Sequence, residues 1–211
     1  LATQVMLGYS LIDLGYRTGL VKESSLVTVK APVFSFSKMT TVDTFLGPEM
    51  KSTGEVMGTD SCYIKALTKA MLASGMKVPE TGNVLFSVAD RDKDEAVRVA
   101  HEFYKIGFRL YATRNTCRCF ARQGLPAVEV SAEEAVSLIR DDKIQLVINT
   151  PSLGKNPHRP GFRLRRAAME FNVLSVTSLD TAWAVLSVIK ANQKDLHAIP
   201  LNEYLAYKQS S

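Results

Sequence analysis

The sequence predicts an α/β protein whose carboxy-terminal part forms a parallel sheet of five strands with helices on both faces. From residue 80 onward, short apolar segments rich in β-branched residues alternate with helical segments of about 10–15 residues, the pattern of repeated β-α-β units. Before about residue 75, helical and extended segments follow one another without a repeating unit. We therefore expect a small α+β region to precede the parallel sheet.

The amino-terminal region is predicted to hold two helices and one extended segment. Apolar residues recur at helical spacing over residues 1–14, and Gly15 is a suitable end for that helix. A second helix is predicted over Tyr63–Ala73, and residues 27–36 are predicted to be extended, with Pro32 at an edge. Since the first residue is Leu, we expect the chain to be part of a longer protein.

The rest of the chain is predicted to alternate strands with helices. The strands are expected at residues 84–88, 108–112, 127–130, 146–149 and 173–177. The helices are expected at residues 92–106, 116–123, 132–140, 163–171 and 180–191. Parallel strands joined in this way have right-handed crossovers, and their ligands bind beyond the carboxyl ends of the strands.

The composition indicates a folded protein with a moderate positive charge. Hydrophobic residues make up 46% and charged residues 22%, and no apolar run approaches the ~20 residues of a membrane span. The 26 basic and 21 acidic residues leave a net charge of +5, which favours anionic partners. This is not the excess of a dedicated DNA-binding protein, and phosphorylated small molecules fit equally well. The three cysteines are odd in number and lack zinc-site spacing, so we expect a reduced, cytoplasmic protein with no metal site. The short apolar runs lead us to expect no membrane partner.

Polar side chains follow three of the predicted strands. Lys93 begins the helix after the first strand, Thr113 and Thr116 follow the second, and Asn149 and Ser152 follow the fourth. Hydroxyl and amide groups, together with the free N–H groups of a helix start, are donors that hold phosphate. A lysine at a helix start is unfavourable unless an anion lies nearby. We therefore predict a phosphate-binding pocket at this edge of the sheet.

Each of these residues also has a purely structural interpretation. Thr113 and Thr116 can cap a helix, Lys93 can be a solvated surface lysine, and Asn149 can cap its own turn. Surface charge or an interdomain ion pair is favoured over a nucleic-acid patch for the arginine cluster Arg159, Arg163, Arg165 and Arg166. No acid–base pair is recognised, and no catalytic residue is predicted.

Several motifs resemble the large subunit of carbamoyl-phosphate synthase. The segment LGPEMKSTGEVMG at residues 46–58 resembles a signature of that family, and so do residues 1–8 and 29–36. The resemblance continues in order through GFRLRR at residues 161–166 and LDTA at residues 179–182, and it covers essentially the whole chain.

The resemblance implies a division into three parts. Residues 1–60 are expected to be the tail of the second ATP-grasp unit, residues 61–79 a linker helix, and residues 80–211 an allosteric domain with the Rossmann-like fold of methylglyoxal synthase. The family's enzyme is a glutamine-hydrolysing ligase that makes carbamoyl phosphate for pyrimidine or arginine synthesis, with ATP and Mg or Mn. Its ATP- and metal-binding residues precede Leu1, so the chain itself is expected to carry no cofactor and no synthase activity. The implied partners are the upstream ATP-grasp halves, the glutaminase small subunit, a phosphorylated small-molecule effector and a second copy of the chain.

The effector site that the resemblance implies agrees with the strand-end pocket. The family's phosphate-binding positions match Lys93, Thr113, Thr116 and Asn149. A second lysine usual near Ser131 is missing from the sequence, and Pro151 replaces a hydroxyl for which Ser152 is the expected substitute. UMP, IMP and phosphoribosyl pyrophosphate stay open as effectors, and so does the absence of any effector.

Two functions from other classes also stay open. The first is a free-standing enzyme of the methylglyoxal synthase type, which binds a triose phosphate. The second is a nucleic-acid-binding module based on the arginine cluster, although Phe162 is the only aromatic residue within it.

Overall fold

The computed structural model describes residues 1–17, 19–20, 23, 25–34, 52–151, 160–191, 196–200 and 202–204. The chain divides into two compact units, Leu1–Ser25 with Ile199–Ser211 and Leu26–Ala198. In the first unit, helix α1 spans Ala2–Met6, so the helix predicted over residues 1–14 is wrong in its length. Gly8 follows α1 with a φ of 97°, a left-handed conformation that ends the helix early.

The second unit begins with an antiparallel pair of strands packed on a helix. Strand β1 (Val27–Val33) pairs along its whole length with β2 (Gly54–Asp60). Helix α2 (Tyr63–Ala73) lies so close to β2 that a Cβ atom on Gly58 would be 2.1 Å from the Ala66 carbonyl oxygen. These elements make the small α+β region that the sequence predicts, although β2 was not among the predicted segments.

A five-stranded parallel sheet follows, which confirms the predicted fold class. Its strands are β3 (Asn83–Phe86), β4 (Arg109–Thr113), β5 (Ala127–Val130), β6 (Leu146–Ile148) and β7 (Leu174–Val176). The order across the sheet is β5-β4-β3-β6-β7. Within this sheet the chain first forms the central strand β3, then adds β4 and β5 on one side, and finally adds β6 and β7 on the other side. The strand order reverses between β3 and β6, where ligands bind in folds of this type.

Helices cover both faces of this sheet. They are α3 (Lys93–Lys105), α4 (Arg114–Arg122), α5 (Ala132–Arg140), α6 (Pro160–Glu170) and α7 (Leu179–Lys190). Side chains of α3, α4 and α7 share one core with Val84 and Phe86, whereas α5 and α6 share the opposite core with Leu85. Val84, Leu85 and Phe86 belong to β3, and successive residues of a strand point to opposite faces of the sheet. Strand β3 therefore contributes to both cores.

Phe86 is at the centre of the larger core. Its ring makes edge-to-face contacts with Phe103 and Phe120, with ring centres 6.3 Å and 5.2 Å apart. None of the helices in the described ranges has both the length and the apolar character needed to cross a membrane.

Candidate functional site

The loops that follow β3, β4 and β6 meet at one edge of the sheet, because these strands are parallel neighbours. The loop after β3 contacts both others. The Val88 N–H donates to Thr116 Oγ1 at 3.3 Å, and Asn149 Nδ2 donates to the Ser87 carbonyl oxygen at 2.7 Å. Two predicted site residues, Thr116 after β4 and Asn149 after β6, therefore both contact the loop after β3, the strand that lies between β4 and β6.

Thr113 joins them through its hydroxyl group. It is the N-cap residue of α4, but its side chain makes no capping hydrogen bond. Thr113 Oγ1 instead lies 3.4 Å from Ser87 Oγ and 3.5 Å from Thr116 Oγ1. The interpretation of Thr113 as a simple helix cap is therefore wrong, and this side chain leaves the first N–H groups of α4 uncapped. Ser87 belongs to this cluster although the sequence analysis did not single it out.

Lys93 has a partner that the sequence analysis did not assign to it. The ammonium group at the start of α3 forms an ion pair with the Asp90 carboxylate, one helical turn earlier. The Lys93 side chain is 19% exposed, whereas that of Asp90 is 90% exposed. Asp90 thus supplies the negative charge that the position of Lys93 calls for. An anion that binds Lys93 must share the ammonium group with this carboxylate or replace it.

Asn149 is buried and holds a buried arginine. Its Oδ1 atom accepts a hydrogen bond from Arg165 Nη1 at 2.5 Å, and both residues are at most 5% exposed. Gly161 of the same helix, α6, lies so close that an added Cβ would be 3.2 Å from both Nδ2 and Oδ1 of Asn149. Asn149 is therefore positioned by α6 and does not simply cap its own turn.

The other arginines of the cluster differ from Arg165. Arg163 pairs with Glu133 at 2.6 Å, and Arg166 pairs with Glu170 at 2.8 Å, with both glutamates substantially exposed. The Arg163 pair agrees with the predicted surface charge, whereas the Arg166 side chain is only 13% exposed. The same prediction is wrong for Arg165, which lies on the inner side of α6. A signal was available in the sequence, because Arg165 stands between the apolar Leu164 and the Ala167–Ala168 pair that pack into the core. Arg159 lies outside the described residues.

Ser152 also lies outside the described residues, so the proposed substitute for the hydroxyl replaced by Pro151 has no structural description. The residue before Pro151 was missed by the sequence analysis. Thr150 is 6% exposed, and its Oγ1 accepts a hydrogen bond from the Ala89 N–H at 2.9 Å. The loops after β3 and β6 are thus joined by the hydrogen bonds that Thr150 accepts and Asn149 donates, and also by one from Arg91 Nη2 to the Pro151 carbonyl oxygen at 3.2 Å.

The cysteines do not belong to this cluster of side chains. Cys117 and Cys119 lie on α4, and Cys62 directly precedes α2. Cys117 is buried, and burial together with the nearby Glu129 carboxylate raises the pKa of its thiol. A raised thiol pKa disfavours the reactive thiolate. In the part of the chain that the structure describes, no three His, Cys, Asp or Glu side chains come together as metal ligands.

The groups gathered at this edge are suited to hold an anion. They comprise hydroxyl groups on Ser87, Thr113 and Thr116 and the Asn149 amide, which the buried Arg165 guanidinium holds in place. The uncapped start of α4 adds backbone N–H groups with the favourable end of the helix dipole. Hydrogen bonds from such donors to a phosphate oxygen are stronger than those between neutral groups.

The comparisons with known proteins concern this part of the chain. Residues 95–177 match the family model described as MGS-like domain. The methylglyoxal synthase of Elizabethkingia anophelis NUHP1 is 19% identical, with a TM-score of 0.44 over 61% of this chain and 92% of that protein. The crystal structure of ForH is 19% identical, with a TM-score of 0.41 over 61% of this chain and 90% of that protein. The match of the family model confirms the domain that the sequence implied: the chain contains an MGS-like domain.

Proposed function

We propose that the chain is the carboxy-terminal regulatory part of the large subunit of a glutamine-hydrolysing carbamoyl-phosphate synthase. In this proposal its MGS-like domain binds a phosphorylated small-molecule effector at the carboxyl ends of β3, β4 and β6. The ligand-binding residues are Lys93, Thr113, Thr116, Asn149 and Ser152.

One observation supports the binding site above others. Thr113, Thr116 and Asn149 come from segments up to 36 residues apart in sequence, and they converge on the single loop after β3 through Ser87 and Val88. Thr113 leaves the start of α4 uncapped, although a threonine at that position ordinarily caps its helix. N–H groups at a helix start that Thr113 does not cap, together with the hydroxyl groups and the Asn149 amide gathered at this edge, are an arrangement suited to a phosphate group. The motifs at residues 46–58 and 161–166 support the assignment to the synthase.

The test is calorimetric titration of the chain with UMP, IMP and phosphoribosyl pyrophosphate. We expect one of the three to bind, and Lys93→Ala to weaken it by about 1–3 kcal/mol, the usual range for a hydrogen bond to a charged group. That loss corresponds to roughly 5- to 150-fold in the dissociation constant. Thr113→Val removes one neutral hydroxyl and is expected to cost less.

Lys105→Ala is the matched control, since it removes the same charge from the opposite end of α3, where Lys105 pairs with Glu102. Equal losses in the Lys93 and Lys105 variants would show a general charge effect and no site at the strand ends. Binding that is indifferent to Lys93, Thr113 and Asn149 would contradict the proposal outright.

The MGS-like domain is also compatible with a free-standing enzyme. Release of methylglyoxal from dihydroxyacetone phosphate by the purified chain would replace the regulatory function with that of methylglyoxal synthase. A salt-dependent gel shift with DNA or RNA would favour the nucleic-acid-binding module.

The wider setting belongs to the same proposal. ATP and Mg or Mn would serve the upstream ATP-grasp halves, and carbamoyl-phosphate synthesis in the cytoplasm would require the glutaminase small subunit. We expect no bicarbonate-dependent ATP hydrolysis by this chain alone. Co-purification of the chain with the remainder of a large subunit, supplied separately, would test the first of these partnerships.

A further inference from the structure

We propose that Arg165 is a positioning residue that makes Asn149 present a hydrogen-bond donor, and not an acceptor, to the ligand. The proposal rests on the anion site proposed above. It attributes part of the preference of that site for anions to Arg165, which contacts Asn149. Arg165 touches Asn149 and is not expected to touch the ligand.

The orientation of the Asn149 amide follows from its two partners. Oδ1 accepts from the Arg165 guanidinium at 2.5 Å, and Nδ2 donates to the Ser87 carbonyl oxygen at 2.7 Å. A guanidinium can only donate, and a carbonyl oxygen can only accept. If the amide were rotated by half a turn, two donors would face each other at Arg165 and two acceptors would face each other at Ser87. Both contacts would then be repulsive, so one orientation is fixed.

The fixed orientation leaves a donor for a ligand. Nδ2 carries two hydrogens, and Ser87 accepts only one of them. The second has no acceptor within the described residues. Asn149 is 2% exposed, and a buried donor without a partner is costly unless a ligand or water satisfies it. A phosphate oxygen is an acceptor of the required kind, whereas a cation at the same place would meet an N–H group.

Helix α6 supports Asn149 at a second point. Gly161 precedes Arg165 by four residues, so both lie on one side of the helix. A Cβ on Gly161 would be 3.2 Å from both Nδ2 and Oδ1 of Asn149, closer than ordinary van der Waals contact. The absence of a side chain at Gly161 therefore lets α6 approach the amide closely enough for Arg165 to hold it. Alanine at this position disturbs the amide without removing any charge.

The experiment combines binding with a direct view of the amide. The full chain is labelled with nitrogen-15, and the side-chain NH₂ signals of Asn149 are assigned from their loss in Asn149→Asp. Inorganic phosphate and UMP are the probes, titrated into wild type, Arg165→Met, Arg165→Lys and Gly161→Ala. Arg163→Met is the control, since it removes one charge from the exposed side of the same helix, where Arg163 pairs with Glu133.

We expect Arg165→Met to weaken both probes about tenfold or more, and Arg163→Met by less than about threefold. Hydrogen exchange of the Asn149 NH₂ group should accelerate in Arg165→Met and Gly161→Ala but not in Arg163→Met. Arg165→Lys should retain most of the affinity, because an ammonium group also only donates. If Arg165→Met does not fold, Gly161→Ala provides the same comparison.

Unchanged Asn149 exchange and unchanged affinity in a folded Arg165→Met or Gly161→Ala variant would overturn the positioning role. The role of Arg165 and the proposed effector function can fail separately. If wild type binds neither probe, nor IMP, nor phosphoribosyl pyrophosphate, but its Asn149 exchange depends on Arg165, the positioning contact stands and the effector function fails. If wild type binds UMP and Arg165→Met binds it equally well, the effector function stands and the positioning role fails.

Discussion

Gly58 lies on β2 where α2 packs on the antiparallel pair of β1 and β2, called the hairpin below. Its replacement by alanine tests how tightly these elements pack. A Cβ atom at this position would be 2.1 Å from the Ala66 carbonyl oxygen and 2.4 Å from the Ala70 nitrogen. Both are backbone atoms of α2, so neither can rotate away as a flexible side chain would. The backbone of Gly58 has an ordinary φ, and the conflict is therefore steric and not conformational.

The cost follows from the distance that must be recovered. Ordinary contact begins at 3.4 Å, so α2 would have to retreat from β2 by more than about 1 Å. Overpacking of a core usually costs about 1–3 kcal/mol. Because helix and strand backbones must separate as units, we expect a value near the upper end, about 3 kcal/mol of unfolding free energy. The cost should fall on β1, β2 and α2, which contribute no residue to the anion site.

Two measurements locate the loss. Urea denaturation followed by the fluorescence of Trp183, the single tryptophan, reports on α7 and its face of the sheet. Hydrogen exchange at the amides of α2 reports on the hairpin and its helix. The control is Gly54→Ala on the same strand, where an added Cβ would meet nothing within 4 Å. This variant should be neutral or more stable by up to about 1 kcal/mol.

Faster exchange in α2 of Gly58→Ala, with phosphate affinity unchanged, is the expected result. The steric reasoning is refuted if Gly58→Ala and Gly54→Ala agree within about 0.5 kcal/mol in both measurements, since substitutions without a specific conflict fall within that range.

Two further predictions concern charged side chains. Asp90→Asn removes the ion-pair partner of Lys93, and we expect it to tighten phosphate binding in calorimetry about two- to fivefold, the range for an exposed pair; weaker binding would show that Asp90 organises the lysine. Hydrogen bonds from Lys190 and then Lys105 lower the pKa of Glu102 to about 2. A carboxylate with a lowered folded-state pKa stabilises the protein above its unfolded pKa. The stability difference between wild type and Glu102→Gln, measured by urea denaturation, should therefore be largest at neutral pH and disappear between about pH 4.5 and pH 2; a constant difference would show that the lysine bonds do not act through ionisation.

The site could be predicted in part because parallel strands place their carboxyl ends along one edge. Once the strands were located, Lys93, Thr113 and Asn149 were assigned to that edge by their positions in the sequence. Arg165 was not, because its neighbours in a run of arginines gave it the pattern of a surface residue. The apolar Leu164, Ala167 and Ala168 place it toward the core, but its contact with Asn149 depends on how α6 packs, which no local pattern encodes.

The alternation of apolar strands with amphipathic helices was enough to determine the fold class. Strands of a parallel sheet are buried on both faces, so each short strand is an almost continuous apolar segment that can be identified without the others. Only the tertiary structure decided the strand order β5-β4-β3-β6-β7, the close approach at Gly58 and the orientation of the Asn149 amide. These features depend on contacts between segments far apart in sequence, such as the hydrogen bond that joins Asn149 to Ser87 across 62 residues. Hydrophobic periodicity is a local property, whereas the partner of a buried polar group is selected by the whole fold.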